Sequence, residues 1–433
     1  MPLKHTVEEL VLKNGARGLI VYVPDATVVN YQFNFRAGNQ YVQNIEKQQT
    51  AHLMEHMVFN ATKSIASAEE FSRQFTKNGA YHNAATYQKD MTYFSDAAFM
   101  EWDRILDLQI MAITEPLFTE KILIREKRNV REELKGYGNN YPRKLWMQLN
   151  KSMGGKLLTD TEKITTIDAV ELNDVISHHK LTHTTANMRF CFVGDFASHK
   201  DEIVDKLEKI SLPRGEELPL IPAQLHSAAP QKITRSDAST NDISLHIVLN
   251  RSFSVPEMVT MGRLNRILTG SFHSRIFGAA RNKGLSYGIY SSTYSGADGI
   301  TRWDISGQVT DENAVALYTL VTDQLEEVAK SSVTKEELDD VKLYAIGDYQ
   351  FKGQRVNDLG GWYASDYFDE GIIDHIDDLP KYIENVTTED ISRLVNEFLS
   401  NGEWALGVVG SLGETALEEV SERLSSVLKG GVQ

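Results

Sequence analysis

The sequence predicts an α+β fold made of two homologous lobes, each an antiparallel sheet packed by helices. Three observations carry that expectation. Within each half of the 433 residues, strand-like segments come first and a block of helical ones follows. A proline-rich stretch, 211–230, holds four of the ten prolines and splits the chain near its middle. The halves also echo each other, since Val193-Gly194 recurs as Val409-Gly410 half a chain length later. Spacing this long implies two copies of one unit and not a solenoid. The expected domains are 1–215 and 231–433, joined by a linker over 216–230.

The elements follow in order. "VVNYQFNFRAG" (28–38) reads as a strand, and the segment after it has helical spacing. "AYHNAATYQKDMTYFSDA" (80–97) reads as two strands around a turn at Gln88–Asp90. "EWDRILDLQIMAITEP" (101–116) has helical periodicity and must stop at Pro116. "TEKILIREKRNVREELKGYG" (119–138) is a second helix, with Thr119 as N-cap and Gly136 as its stop. "RFCFVGDF" (189–196) closes the first half as a strand. In the second half, "DISLHIVLNRS" (242–252) and "WALGVVGSL" (404–412) read as strands. "VALYTLVTDQLEEVA" and "TKEELDDVKLYAIGDYQF" are amphipathic helices between them.

Composition narrows the function. Hydrophobic content of 41% and charged content of 24% are those of a soluble globular chain. No window approaches the 18 apolar residues a membrane span requires, so no membrane partner is expected. The N-terminus lacks an apolar targeting region, so the expected location is cytoplasmic, although a transit peptide already removed would leave no trace. The single cysteine, Cys191, excludes an internal disulfide and sits at a strand-core position. A net charge of −15 argues against nucleic acid and suits basic peptides or simple solubility.

The densest chemistry lies in "QTAHLMEHMVFNAT" (49–62). His52 and His56 are four apart, so on a helix their rings point to one place, with Glu55 beside them. Converging imidazoles with a nearby carboxylate are what a zinc site needs. The order His-x-x-Glu-His is the inverzincin signature. Chance yields roughly 0.05 such turns in a chain of this composition. A buried helix whose histidines pair with carboxylates or carbonyls is the competing reading.

Catalytic zinc has three protein ligands and an open position. The helix at 119–138 offers Glu126, Glu132 and Glu133. Its buried stripe runs through Ile122, Glu126, Val130 and Tyr137, and Glu133 stays on that stripe. Glu132 falls about 200° away from Val130 and faces water. Glu133 is therefore the expected third ligand, and Glu126 an orienting group behind a ligand. Bound zinc would acidify water and polarise a carbonyl. Glu55 is then the base that takes the proton and passes it to a leaving amine. Peptide hydrolysis is the expected outcome.

These segments resemble the pitrilysin and mitochondrial processing peptidase family of zinc metallopeptidases. "TAHLMEHMVFNATKS" is similar to the family's motif helix, although the usual Gly-Thr reads Asn60-Ala61-Thr62 here. "EKRNVREEL" matches its pair of glutamates seven apart, Glu126 and Glu133. "NGAYHNAATYQKDMTYF" is similar to the family's edge strand, and implies that Asn83 and Ala84 hold an extended peptide by strand addition. "HSRIFGAARNKGLSYGIYSS" (273–292) resembles the segment whose arginine and tyrosine reach the reacting oxygen. This implies roles for Arg281 and Tyr287, with Phe277 as an apolar neighbour. One residue is missing between Arg281 and the Gly-Leu, which shifts the register of Arg281.

The resemblance further implies a clamshell of two lobes, of which only the first binds metal. The second lobe reads "MVTMGRLNRILTG" (258–270) at the corresponding helix, without histidine. It also implies pairing into a homodimer or a heterodimer with a related chain. The expected function is a zinc-dependent endopeptidase acting on unstructured peptides. Two alternatives stand beside it: a non-catalytic or scaffold subunit of a heterodimeric peptidase, and a peptide-binding protein with structural zinc.

Overall fold

The computed structural model describes residues 1–235, 237–296 and 298–430. Six strands form the first sheet: β1 (Thr6–Val11), β2 (Arg17–Tyr22), β3 (Val28–Phe35), β4 (Tyr81–Thr86), β5 (Met91–Ala98) and β6 (Met188–Gly194). Their order is β1-β2-β6-β3-β5-β4. Five form the second: β7 (Gln231–Thr234), β8 (Asn241–Leu249), β9 (Ser286–Gly296), β10 (Ile300–Val309) and β11 (Glu403–Gly410), ordered β7-β11-β8-β10-β9. Omitting β1, the two orders are the same connectivity. Neighbours are antiparallel except for β2–β6 and β7–β11, where each half's closing strand lies parallel to an earlier strand, β2 in one and β7 in the other. The echo of Val193-Gly194 in Val409-Gly410 is thus structural: Val193 lies opposite Asn30 on β3, and Val409 opposite Asp242 on β8.

The chain forms two compact units. The first comprises Met1–Tyr137, Asp160–Ile221 and Gln350–Asp377; the second comprises Gly138–Thr159, Pro222–Tyr349 and Asp378–Gln433. In the first, β3 alternates cleanly. Tyr31, Phe33 and Phe35 are fully buried in the core that the helices share. Burying each such ring stabilises the fold by roughly 1.5–3 kcal/mol. Asn30, Gln32 and Asn34 point to the opposite face, where the helix Val356–Glu370 packs across β6, β3 and β2. Gly360 permits that crossing, since a Cβ there would lie 2.2 Å from Asn30 Oδ1. Cys191 on β6 is buried as expected, and burial pushes its thiol up to about 12.

The second unit repeats the device. Helix Tyr141–Ser152 crosses β11, with Leu145 and Leu149 against Ala405 and Val409. Gly407 makes room, because a Cβ would meet Leu145 at 2.7 Å. The segment 211–230 contains neither helix nor strand. The helix Val255–Thr269 follows β8 as the motif helix Gln49–Val58 follows β3. Among the described residues, no helix is long and apolar enough to cross a membrane.

Candidate metal centre

The motif helix buries Ala51, Leu53, Met54, Met57 and Val58 in the first core. That leaves His52, Glu55 and His56 on the remaining, half-buried face. The helix Glu120–Gly136 packs against it. Thr119 caps that second helix by accepting from the Ile122 amide at 3.3 Å, and the helix ends at Gly136 as its sequence requires. Ile122, Glu126 and Val130 form its buried stripe, which turns Glu133 towards the motif helix. Glu132 faces outward and pairs with Lys135 at 2.7 Å.

His52, His56 and Glu133 converge. Glu133 Oε2 lies 3.6 Å from His52 Nε2 and 3.5 Å from His56 Nε2. All three ligand atoms lie within 4.8 Å of one another. A tetrahedron with metal–ligand distances of about 2.0–2.1 Å has edges of about 3.3 Å. The two edges to Glu133 are close to that length, so the donor set suits zinc. With His52, Glu55, His56, Phe59, Asn83 and Ala84, Glu133 lines an open cleft of 410 Å³. Glu55 is outside the converging trio, so it is left as a carboxylate in the cleft wall.

A second layer orients these groups. His52 Nδ1 faces Gln49 Oε1 at 3.3 Å, and His56 Nδ1 faces Glu126 Oε2 at 3.4 Å. Tyr137 donates its hydroxyl to Glu133 Oε1 at 3.2 Å, which leaves Oε2 towards the imidazoles. Glu126 is only 4% exposed. Burial alone would raise its carboxyl, but His56, Asn129 and Arg125 outweigh burial and hold it below the ordinary range. Hydrogen bonds from His52 and His56 hold Glu133 well below that range too. Burial opposes protonation of His56, yet the facing Glu126 and Glu133 raise it to about 9. The pocket is thus electrostatically built for positive charge.

The other expected residues divide by position. Asn83 and Ala84 lie on β4, the last strand of the first sheet, beside the cleft. Asn83 donates to Tyr81 Oη at 3.1 Å and accepts from the Ala84 amide at 3.0 Å. Arg281, Tyr287 and Phe277 belong to the second unit. Tyr287 is 80% exposed near the start of β9, the outer strand of that sheet. The Arg281 guanidinium lies over the rings of Phe272 and Tyr287, at 5.1 and 4.8 Å. It also donates to the Tyr287 carbonyl at 3.3 Å, and Phe277 packs on Phe272. Gln49, Asn60, Asn129 and Tyr137 were not expected at the centre. Tyr137 had a signal, since it continues the buried stripe by one turn beyond Glu133.

Comparison with known proteins bears on the family and the fold. The family described as "Insulinase (Peptidase family M16)" matches residues 26–158, and the one described as "Peptidase M16 inactive domain" matches residues 169–343. The zinc protease PqqE of Helicobacter pylori is 23% identical over 408 residues, covering 91% of this chain and 90% of that protein. The mitochondrial-processing peptidase subunit beta of Bos taurus is 26% identical over 212 residues, covering 48% of this chain and 41% of that protein. Among solved structures, a peptidase M16 inactive domain from Pseudomonas fluorescens superposes with a TM-score of 0.82 at 20% identity, over 94% of this chain and 98% of that one. A protease from Helicobacter pylori gives 0.79 at 20% identity, over 94% and 100%. These structural likenesses concern the fold.

Proposed function

We propose that this chain, which belongs to the M16 (pitrilysin) peptidase family, is a zinc-dependent endopeptidase that cleaves unstructured peptides. The observation that carries the reading is the convergence of His52, His56 and Glu133 at edge lengths suited to zinc, with Glu55 left over in the same cleft. His52, His56 and Glu133 would hold the ion. When bound, zinc supplies Lewis acidity that brings the pKa of a water to about 7 and polarises a carbonyl.

The chain's own residues do the rest. Glu55 takes a proton from the attacking water and delivers it to the leaving amine. Gln49 and Glu126 fix the imidazole planes, and Tyr137 fixes Glu133. The peptide lies along the outer edge of β4 in extended form, with Asn83 and Ala84 alongside the scissile bond. Arg281 and Tyr287 are donors for the oxygen that gains charge, in keeping with the resemblance of their segment to the family's. A related chain or a second copy is the expected partner; the Bos taurus relative is itself named as a subunit. Basic peptides suit the net charge of −15.

Cleavage of a panel of short peptides by the wild type and by Glu55→Gln tests this. The expected result is zinc in both proteins and turnover in the wild type alone, with a loss of roughly 10²–10⁴-fold in the variant. Equal cleavage by both would remove Glu55 from the mechanism. Zinc bound by both, with peptides held but never cut, would favour a binding or scaffold role.

A further inference from the structure

The loop leaving the motif helix reaches back to the centre. Asn60 Nδ2 donates to Glu126 Oε1 at 2.9 Å. Arg125 Nε donates to that same oxygen at 3.0 Å, and Arg125 Nη2 donates to Asn60 Oδ1. The amide, the guanidinium and the carboxylate close a three-membered ring of hydrogen bonds. With Oε1 so occupied, Oε2 is left for Asn129 Nδ2 at 2.9 Å and for His56 Nδ1 at 3.4 Å.

A buried carboxylate is costly unless donors surround it, and its orientation follows the donors. Arg125 and Asn129 sit on the same helix as Glu126. Apart from His56, Asn60 is the one partner of Glu126 from the motif-helix side, among the described residues. It therefore ties the segment carrying the two imidazoles to the helix carrying Glu133. We propose that Asn60 and Arg125 are positioning residues for the metal centre: they lock Glu126, which fixes the His56 ring so that Nε2 faces Glu133 before any ion arrives. This rests on the reading of His52, His56 and Glu133 as zinc ligands.

The test is zinc affinity by chelator competition on the full chain, for the wild type, Asn60→Gly, Arg125→Gln and Glu126→Gln, and for Asn60→Gly combined with Glu126→Gln. Arg125 is half exposed, so its variant should fold even if the loop variant does not. Loss of an orienting group behind a metal ligand typically weakens binding 10–100-fold. The expected loss is about tenfold for Asn60→Gly and for Arg125→Gln. Adding Asn60→Gly to Glu126→Gln should cost nothing further, because both act through one carboxylate. Affinities within twofold of wild type in both single variants would overturn the proposal, as would a full extra loss in the combined variant. Absence of zinc binding by the wild type is a different result: it would remove the ligand assignment, and this proposal with it.

Discussion

Replacing Glu133 by glutamine is the sharpest test of the ligand set. Glutamine keeps the volume and an acceptor for the Tyr137 hydroxyl, which donates to Oε1 at 3.2 Å. The fold should therefore survive. What is lost is the anionic oxygen lying 3.6 and 3.5 Å from the two imidazole nitrogens. With two neutral imidazoles and one carboxylate, a bound dication leaves the centre at a net charge of +1; without the carboxylate it is +2, in a half-buried cleft. Losing an orienting group costs 10–100-fold in affinity, and losing the ligand itself should cost more than 100-fold, which is above about 2.7 kcal/mol. The assay is chelator competition, with Glu132→Gln as the control. Glu132 points outward to Lys135, so its variant should match the wild type. Wild-type affinity in Glu133→Gln, or an equal loss in Glu132→Gln, would refute the assignment.

Further outcomes follow from the packing and the charges. Leu149→Ala empties a fully buried position against β11 and should cost about 2–5 kcal/mol in chemical denaturation. Zinc affinity should be unchanged in the same protein, because the ligands lie in the other compact unit. Acid should weaken the second unit through Glu257. Burial pushes its carboxyl up, but Arg251 and Ser254 outweigh burial and hold it at about 2. An unfolded glutamate titrates near 4.3, so this stabilisation is complete above that pH. It is lost as pH falls from about 5 towards 2, and Glu257→Gln should flatten that part of a stability–pH profile.

The motif was legible because period fixes face. Four-residue spacing puts His52 and His56 together, and the Ile122–Glu126–Val130 stripe turns Glu133 inward, without knowledge of the fold. The orienting layer was harder to read. Asn60 lies in a loop and meets Glu126 across 66 residues, a contact that no periodicity encodes. Gln49 begins the motif helix, three residues before His52, where the sequence looks like an ordinary polar start. At fold level, the long strands and amphipathic helices stood out. The two crossing helices, Tyr141–Ser152 and Val356–Glu370, did not. Each joins a compact unit formed mainly by the other half of the chain, and the close contacts that admit them, Gly407 with Leu145 and Gly360 with Asn30, pair residues far apart in sequence. The Arg281 guanidinium lies over the rings of Phe272 and Tyr287, a contact that residue spacing does not encode.

X-ray absorption on the zinc-loaded chain reads the first coordination shell directly. The prediction is one zinc per chain with four light-atom neighbours near 2.0–2.1 Å, two of them showing imidazole scattering, and no sulfur. A sulfur neighbour near 2.3 Å, an all-oxygen shell, or a chain that takes up no zinc would contradict it.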